Sequence, residues 1–123
     1  MPESIAGVWE LVSDTRDGLI VATNTHASAI IMDKGRRRFQ QDEPTDAEAA
    51  EAYRSFITQA GPYTMADGRL IHHRTYTRNP NGMGSDEVFE YHRDGERLIL
   101  QPIDPDGTRY PSMTWRKVNT GNG

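Results

Sequence analysis

The chain has 123 residues, of which 35% are hydrophobic and 26% are charged, and its formal net charge at pH 7 is −4. This length supports one hydrophobic core without a disulfide or metal staple, and the absence of cysteine excludes disulfides, thiolate metal sites and cysteine nucleophiles. Charges of both signs are interspersed along the chain, which argues against a nucleic-acid partner. No apolar stretch reaches membrane-spanning length, and the first residues lack a secretory pattern. We therefore predict a single cytoplasmic domain over residues 1–123, with no nucleic-acid or membrane partner.

Turn signals recur along the chain and divide it into short segments with strand composition. Asp-Gly and Asn-Gly pairs supply the positive φ angles that tight hairpins require, and they occur at 17–18, 67–68, 81–82, 94–95 and 106–107, with a related Asp-Lys-Gly at 33–35. Strands are predicted at 6–14, 26–33, 36–41, 62–65, 69–78, 85–93, 96–102 and 109–118, and 19–21 is a candidate for a short additional strand. About eight antiparallel strands can close into a barrel that holds one small ligand. We therefore predict a mainly β fold, an up-and-down antiparallel barrel.

A helix is predicted between the third and fourth strands. Thr45 and Glu48 have the spacing of a capping box, in which each side chain satisfies a backbone N–H at the start of a helix. Apolar residues follow at helical spacing: Ala49, Tyr53, Phe56, Ile57 and Ala60. Gly61 and Pro62 then end the pattern. The sequence thus predicts a helix over 45–60, which lies against the sheet or across one mouth of the barrel.

The alternation of side chains along the strands selects an inner face. Trp9 shares its side of the first strand with Leu11 and is predicted to be buried. The turn at 79–82 makes strands 69–78 and 85–93 neighbours, so that side chains from both should meet on one wall. Each strand has two alternating sets of side chains, and we predict that the set with the aromatic residues faces inward. Its members are His72, Arg74, Tyr76, Glu87, Phe89 and Tyr91. A shift of one residue in either strand would replace them with the opposite face.

This set of side chains suits proton transfer. His72 or Glu87 could remove a proton from a hydroxyl or from a carbon next to a carbonyl, and Tyr91 or Tyr76 could donate one. Arg74 could hold an enolate or a carboxylate. We therefore predict His72, Glu87 and Tyr91 as catalytic residues, with Arg74, Tyr76 and Phe89 binding the ligand. The alternative is that Arg74 and Glu87 simply pair as a structural ion pair inside the barrel.

Further ligand-binding residues are predicted on other strands. Arg37 and Phe39 share a face of the strand predicted at 36–41, and an arginine in the lumen would favour an anionic or carbonyl-rich ligand. Met32, Met113 and Trp115 would give an adaptable lining for a flat, conjugated molecule, although core packing explains them equally.

We predict neither a metal nor a cofactor. The chain has four histidines, and the adjacent His72 and His73 point to opposite faces of a strand, so that they cannot bind the same ion. No recognisable spacing of metal ligands occurs.

Several segments together resemble the bacterial lipocalin-like domain family. They are 7–13 (GVWELVS), 60–63 (AGPY), 67–68 (DG), 72–73 (HH), 84–88 (GSDEV), 94–100 (DGERLIL) and 114–116 (TWR). The resemblance implies a calycin-type barrel in which Trp9 closes one end with Arg116 stacked on it. Arg74 and Glu87 depart from the family, which usually has an aliphatic residue and Gln there, and both changes place charge toward the lumen.

The resemblance leaves several function classes open, because such barrels serve as carriers, as proteins of unassigned role and as cofactor-independent cyclases or isomerases of bacterial natural-product pathways. Our leading prediction is a cofactor-independent cyclisation or isomerisation in bacterial secondary metabolism. The alternative is a non-catalytic carrier for a small, hydrophobic, oxygen-rich ligand. Inward polar groups that converge on open space would favour catalysis, whereas groups that satisfy one another would favour binding alone. A homodimer that buries exposed aromatic residues is also possible from the sequence.

Overall fold

The computed structural model describes residues 4–118. Its elements, in chain order, are β1 (Gly7–Val12), β2 (Arg16–Ala22), β3 (His26–Asp33), α1 (Asp46–Arg54), β4 (Phe56–Ala66), β5 (Arg69–Arg74), β6 (Tyr76–Thr77), β7 (Ser85–Asp94), β8 (Arg97–Ile103) and β9 (Met113–Lys117). A short 3₁₀ turn, Pro80–Gly82, lies between β6 and β7. No helix of this described part is long and apolar enough to cross a membrane.

The strands form a closed, eight-stranded antiparallel barrel, as predicted. Apart from β6, each strand pairs with the next strand along the chain, and β9 pairs back onto β1 to close the barrel. The strands β5 and β6 occupy one position in the barrel, because both pair with β4. The longer connections, at 34–55, 78–84 and 104–112, all lie at one end of the barrel, which we call the mouth.

The prediction of a strand at 36–41 is wrong, and β2 takes its place. This segment has no strand structure and runs beside α1, where the Arg36 guanidinium donates to the Ser55 hydroxyl at 3.0 Å. Since β3 pairs directly with β4, with Met32 opposite Phe56, no free edge is left for a further strand there.

The Asp17-Gly18 pair lies inside β2 and does not form the predicted turn. A Cβ atom on Gly18 would lie 3.0 Å from the Leu11 Cβ and 3.1 Å from the Trp115 ring. Close packing favours glycine at this position, and the Asp17-Gly18 pair does not mark a hairpin. The predicted strand at 109–118 is likewise shorter, because β9 begins only at Met113.

The helix begins as predicted and ends earlier. Thr45 and Glu48 form the capping box, with the Thr45 hydroxyl accepting from the Glu48 N–H at 3.1 Å. The helix ends at Arg54, however, and the apolar residues at 56–60 belong to β4, where they pair with β3. The helical spacing of the apolar residues thus predicts the structure correctly only as far as Tyr53, because the residues beyond the helix pair with β3 instead.

Trp9 is fully buried, as predicted, at the end opposite the mouth. Its indole N–H donates to the Ile5 carbonyl at 2.8 Å. The cations over its ring are those of Arg93, at 5.2 Å, and Lys117, at 5.6 Å. Arg116 is exposed and lies 3.5 Å from Glu10, so the stacking that the resemblance implied is wrong. The reason is strand alternation, because burying Trp115 turns its neighbour outward.

A β-bulge separates β5 from β6. Tyr63 pairs with His72, but Ala60 pairs with Tyr76, so β5 and β6 together contain one residue more than the opposing part of β4. The backbones approach so closely that a Cβ atom on Gly61 would lie 2.0 Å from the His73 carbonyl oxygen. The bulge therefore interrupts the predicted strand 69–78 and reverses the inward and outward phase beyond it.

Candidate functional site

The barrel encloses a cavity of about 500 Å³. Its apolar wall comes from inward-facing residues of most strands, chiefly Ile20, Ala29, Ile31, Leu70, Phe89, Leu100, Met113 and Trp115. Polar residues of the connection after β6, Asn79 and Asn81, line its rim at the mouth. A volume of this size suits a small organic molecule.

A group of five side chains forms a polar cluster on one side of the cavity: Gln59, His72, Arg74, Ser85 and Glu87. The Glu87 carboxylate accepts a hydrogen bond from the Gln59 amide at 2.6 Å and lies 3.9 Å from the Arg74 guanidinium. Arg74 also donates to the Ser85 hydroxyl at 2.6 Å. The predicted pairing of strands 69–78 and 85–93 is confirmed, with His72 opposite Glu87 and Arg74 opposite Ser85. At 3.9 Å, Arg74 and Glu87 thus form an ion pair without a direct hydrogen bond between them.

His72 is the most deeply buried member of the cluster, with 4% of its surface exposed. Its Nε2 atom lies 3.0 Å from the Ala27 carbonyl oxygen, to which it donates. Burial lowers the pKa of His72, although the Ala27 carbonyl and the nearby charge of Glu87 oppose the shift. We therefore expect a neutral imidazole at pH 7, whose Nδ1 atom is a proton acceptor.

Three donor atoms of cavity-lining side chains have no hydrogen-bond partner among the described residues. They are the Nε atoms of Arg74 and Arg78 and the indole Nε1 of Trp115, all fully buried. A buried donor left unsatisfied costs about 1–3 kcal/mol. The interior therefore keeps donor capacity that the protein's own acceptors do not use.

Six of the predicted site residues lie on the cavity wall: His72, Arg74, Glu87, Phe89, Met113 and Trp115. Tyr91 is half-buried and packs against the core without lining the cavity. It follows Glu87 and Phe89 on the same face, but its N–H donates to Gly68 in the β4–β5 turn, at the end opposite the mouth.

Four predicted ligand-binding residues are placed elsewhere, and their predicted positions are wrong. Tyr76 is 72% exposed, because the bulge before it turns Thr77 inward in its place. Met32 is exposed because its neighbour Ile31 takes the inward position in β3. Arg37 and Phe39 lie in the exposed segment beside α1, outside the cavity.

The polar residues that the sequence did not predict for the site include Arg16, Gln59 and Arg78 in the cavity wall, and Ser85, which accepts a hydrogen bond from Arg74. Gln59 was assigned to the helix, and Arg16 precedes a glycine that was taken for a turn. Ser85 marked only the start of a strand. Only Arg78 had a usable signal, because it flanks a turn at the end of a strand with charged inward positions.

Metal ligation finds no support in residues 4–118, since no three His, Asp or Glu side chains cluster there closely enough to hold an ion. His73 points away from His72 and lies 2.8 Å from Asp86 on the outer face. The two histidines therefore face opposite sides of β5.

A family model described as a lipocalin-like domain matches residues 12–118, which is most of the chain and all strands after β1. No curated protein matches the chain.

Proposed function

The chain belongs to the lipocalin-like domain family, and we propose on that premise that its barrel binds a small, partly apolar molecule with oxygen-bearing groups. The observation that carries this proposal is the cavity of about 500 Å³, in which an apolar wall faces one polar cluster. Such a division orients a ligand, because apolar surface gives affinity and a few fixed polar groups give direction. Hydrogen-bond donors predominate among the polar groups, which suits ligand oxygens.

The binding test uses two substitutions on neighbouring residues of β3. Ala29 lines the cavity, so Ala29→Phe fills it, whereas Ile30 lies on the outer face, so Ile30→Phe leaves it open. With naphthylacetamide as the probe, we expect a saturable NMR shift of the Trp115 indole N–H in the wild type and in Ile30→Phe. Ala29→Phe should abolish it. A shift that survives Ala29→Phe would place the probe outside the barrel.

A second candidate function is a cofactor-independent isomerisation or cyclisation of the bound molecule, within bacterial secondary metabolism. One specific observation favours it: a neutral imidazole, His72, lies in the cavity wall beside the guanidinium of Arg74. In this proposal His72 accepts a proton from a carbon next to a carbonyl, Arg74 stabilises the enolate that forms, and the barrel holds the reactive conformation. The metabolic setting rests on the family resemblance alone.

Glu87 and Tyr91 have smaller roles in this proposal than the sequence suggested. Glu87 is held by Gln59 and Arg74, so we assign it the positioning of Arg74. Tyr91 lies outside the cavity lining, so we assign it no proton transfer. The ion pair of Arg74 and Glu87 also supports the alternative of a non-catalytic carrier, because the two charges compensate each other.

The two candidates differ in a measurable exchange reaction. Naphthylacetone in D₂O loses its hydrogens next to the carbonyl when a base removes them, and proton NMR follows that loss. We expect the wild type to accelerate the exchange and His72→Gln to slow it by roughly a hundredfold with the probe still bound. His92→Gln, a change at an exposed histidine, should have no effect. If the probe binds and its exchange is not accelerated, the result contradicts catalysis and favours the non-catalytic carrier.

A further inference from the structure

The cavity wall carries an excess of positive charge. Three guanidinium groups line it, those of Arg16, Arg74 and Arg78, and Glu87 is the one carboxylate among the described residues that do so. Arg74 is the partner of Glu87, at 3.9 Å. The charge of Glu87 is therefore already compensated, and Arg16 and Arg78 are left over.

Arg16 begins β2 at the mouth and is half-buried. Among residues 4–118, its guanidinium makes one hydrogen bond to a side chain, a weak one at 4.0 Å to the sulfur of Met113. Asp33 lies opposite Arg16 in the β2–β3 register, yet it is exposed and forms no ion pair with it among residues 4–118. Arg16 therefore reaches the cavity with most of its five donors unused.

Arg78 follows β6 at the same end of the barrel and is held firmly in place. Its guanidinium donates to the carbonyls of Tyr53, at 2.6 Å, and Phe56, and it stacks on the Tyr53 ring at 4.0 Å. Its Nε is buried with no partner. These contacts fix the orientation of the group without neutralising it, since carbonyls and an aromatic ring carry no net charge. Within the described residues no carboxylate pairs with it.

Removing charge from water is costly unless an opposite charge compensates it. Two guanidiniums without counterions, at the mouth of a cavity with one polar cluster in a largely apolar wall, favour a ligand that supplies a negative charge there. We propose that the ligand is an amphipathic organic anion: its carboxylate lies between Arg16 and Arg78 at the mouth, and its apolar body enters toward Phe89 and Trp115. This inference rests on the proposed binding function and specifies its ligand class.

A matched pair of probes tests the inference. Naphthylacetate and naphthylacetamide share their aromatic body and differ in charge, and both are followed through the Trp115 indole N–H. We expect naphthylacetate to bind about tenfold more tightly or better, and its advantage to shrink between about 0.05 and 0.5 M salt, because salt screens charge attraction.

Variants test whether Arg16 and Arg78 are responsible for the tighter binding of naphthylacetate. Arg16→Gln and Arg78→Gln should each weaken naphthylacetate about tenfold and leave naphthylacetamide unchanged. Arg38→Gln removes the same charge from the exposed segment outside the cavity and should change neither affinity. If Arg78→Gln fails to fold because it anchors the start of β4, Arg16→Gln still decides the outcome, since its one weak contact makes it dispensable for folding.

The outcomes separate this inference from the proposed function. Equal affinities for the two probes, or an advantage of naphthylacetate that survives in Arg16→Gln and Arg78→Gln, would overturn the anion inference while leaving small-molecule binding intact. Failure of both probes to bind would overturn the binding function together with the inference.

Discussion

The amide of Gln59 donates a 2.6 Å hydrogen bond to the carboxylate of Glu87, and this bond joins β4 to β7 across the intervening strand β5. Only inward-facing side chains can span two positions of a barrel in this way. Glu87 is thus held from one side by Gln59 and from the other by Arg74. The geometry of the polar cluster therefore depends on the arrangement of these strands in the closed barrel.

Replacing Glu87 with Gln should have opposite effects on stability and on binding. The partly buried guanidinium of Arg74 loses its counter-charge, so we expect the free energy of unfolding in urea to fall by about 1–3 kcal/mol. The cavity becomes more positive, so affinity for naphthylacetate should rise several-fold. Glu90→Gln is the matched control on the outer face of β7 and should leave that affinity unchanged. A loss of affinity in Glu87→Gln would mean that the carboxylate itself contacts the probe.

The parts of the site that could be predicted from sequence are those governed by a single strand. Alternation alone places His72 with Arg74 and Glu87 with Phe89, and the turn at 79–82 makes those strands neighbours. The predicted start of the helix at Thr45 likewise depends only on residues within one turn of it.

The remaining parts depend on contacts between segments far apart in sequence. Gln59 enters the site because β3 pairs with a segment whose local spacing is helical. Tyr76 leaves it because a bulge, made possible by Gly61, shifts the phase of β6. Gly18 has the appearance of a turn residue but lies inside β2, where it packs closely against Leu11 and Trp115. No local pattern distinguishes these cases, because the competing energy comes from tertiary pairing.

Trp9→Ala should remove the packed closure at the end of the barrel opposite the mouth. The side chain is fully buried and its N–H bonds to the Ile5 carbonyl, so we expect a loss of about 3–5 kcal/mol in urea unfolding, as for other large core truncations. Tyr76→Ala, at a side chain that is 72% exposed, should stay within about 0.5 kcal/mol of the wild type. Similar losses of unfolding free energy in both variants would mean that Trp9 does not stabilise this end of the barrel.

Gly61→Ala should disrupt the bulge between β5 and β6. The added methyl group would lie 2.0 Å from the His73 carbonyl oxygen, so a backbone must move, at a cost of about 1–3 kcal/mol or more. We expect faster amide hydrogen exchange at Thr75, whose N–H donates to the Ala60 carbonyl at 3.0 Å. Gly82→Ala is the control, because its nearest contact would be 3.4 Å from Thr77. Unchanged exchange at Thr75 would show that the bulge does not need a glycine.

The pH dependence of stability should show the burial of His72. Burial lowers its pKa below the ordinary 6.5, so the folded protein keeps the imidazole neutral where the unfolded chain is already protonated. As the pH falls through about 6.5, the unfolded state binds the additional proton, and the free energy of unfolding decreases; above that pH the contribution is constant. Urea unfolding between about pH 5 and 8 measures this slope. His72→Gln, which can still donate to the Ala27 carbonyl, should reduce the slope. An unchanged slope in His72→Gln would assign the titration to another group.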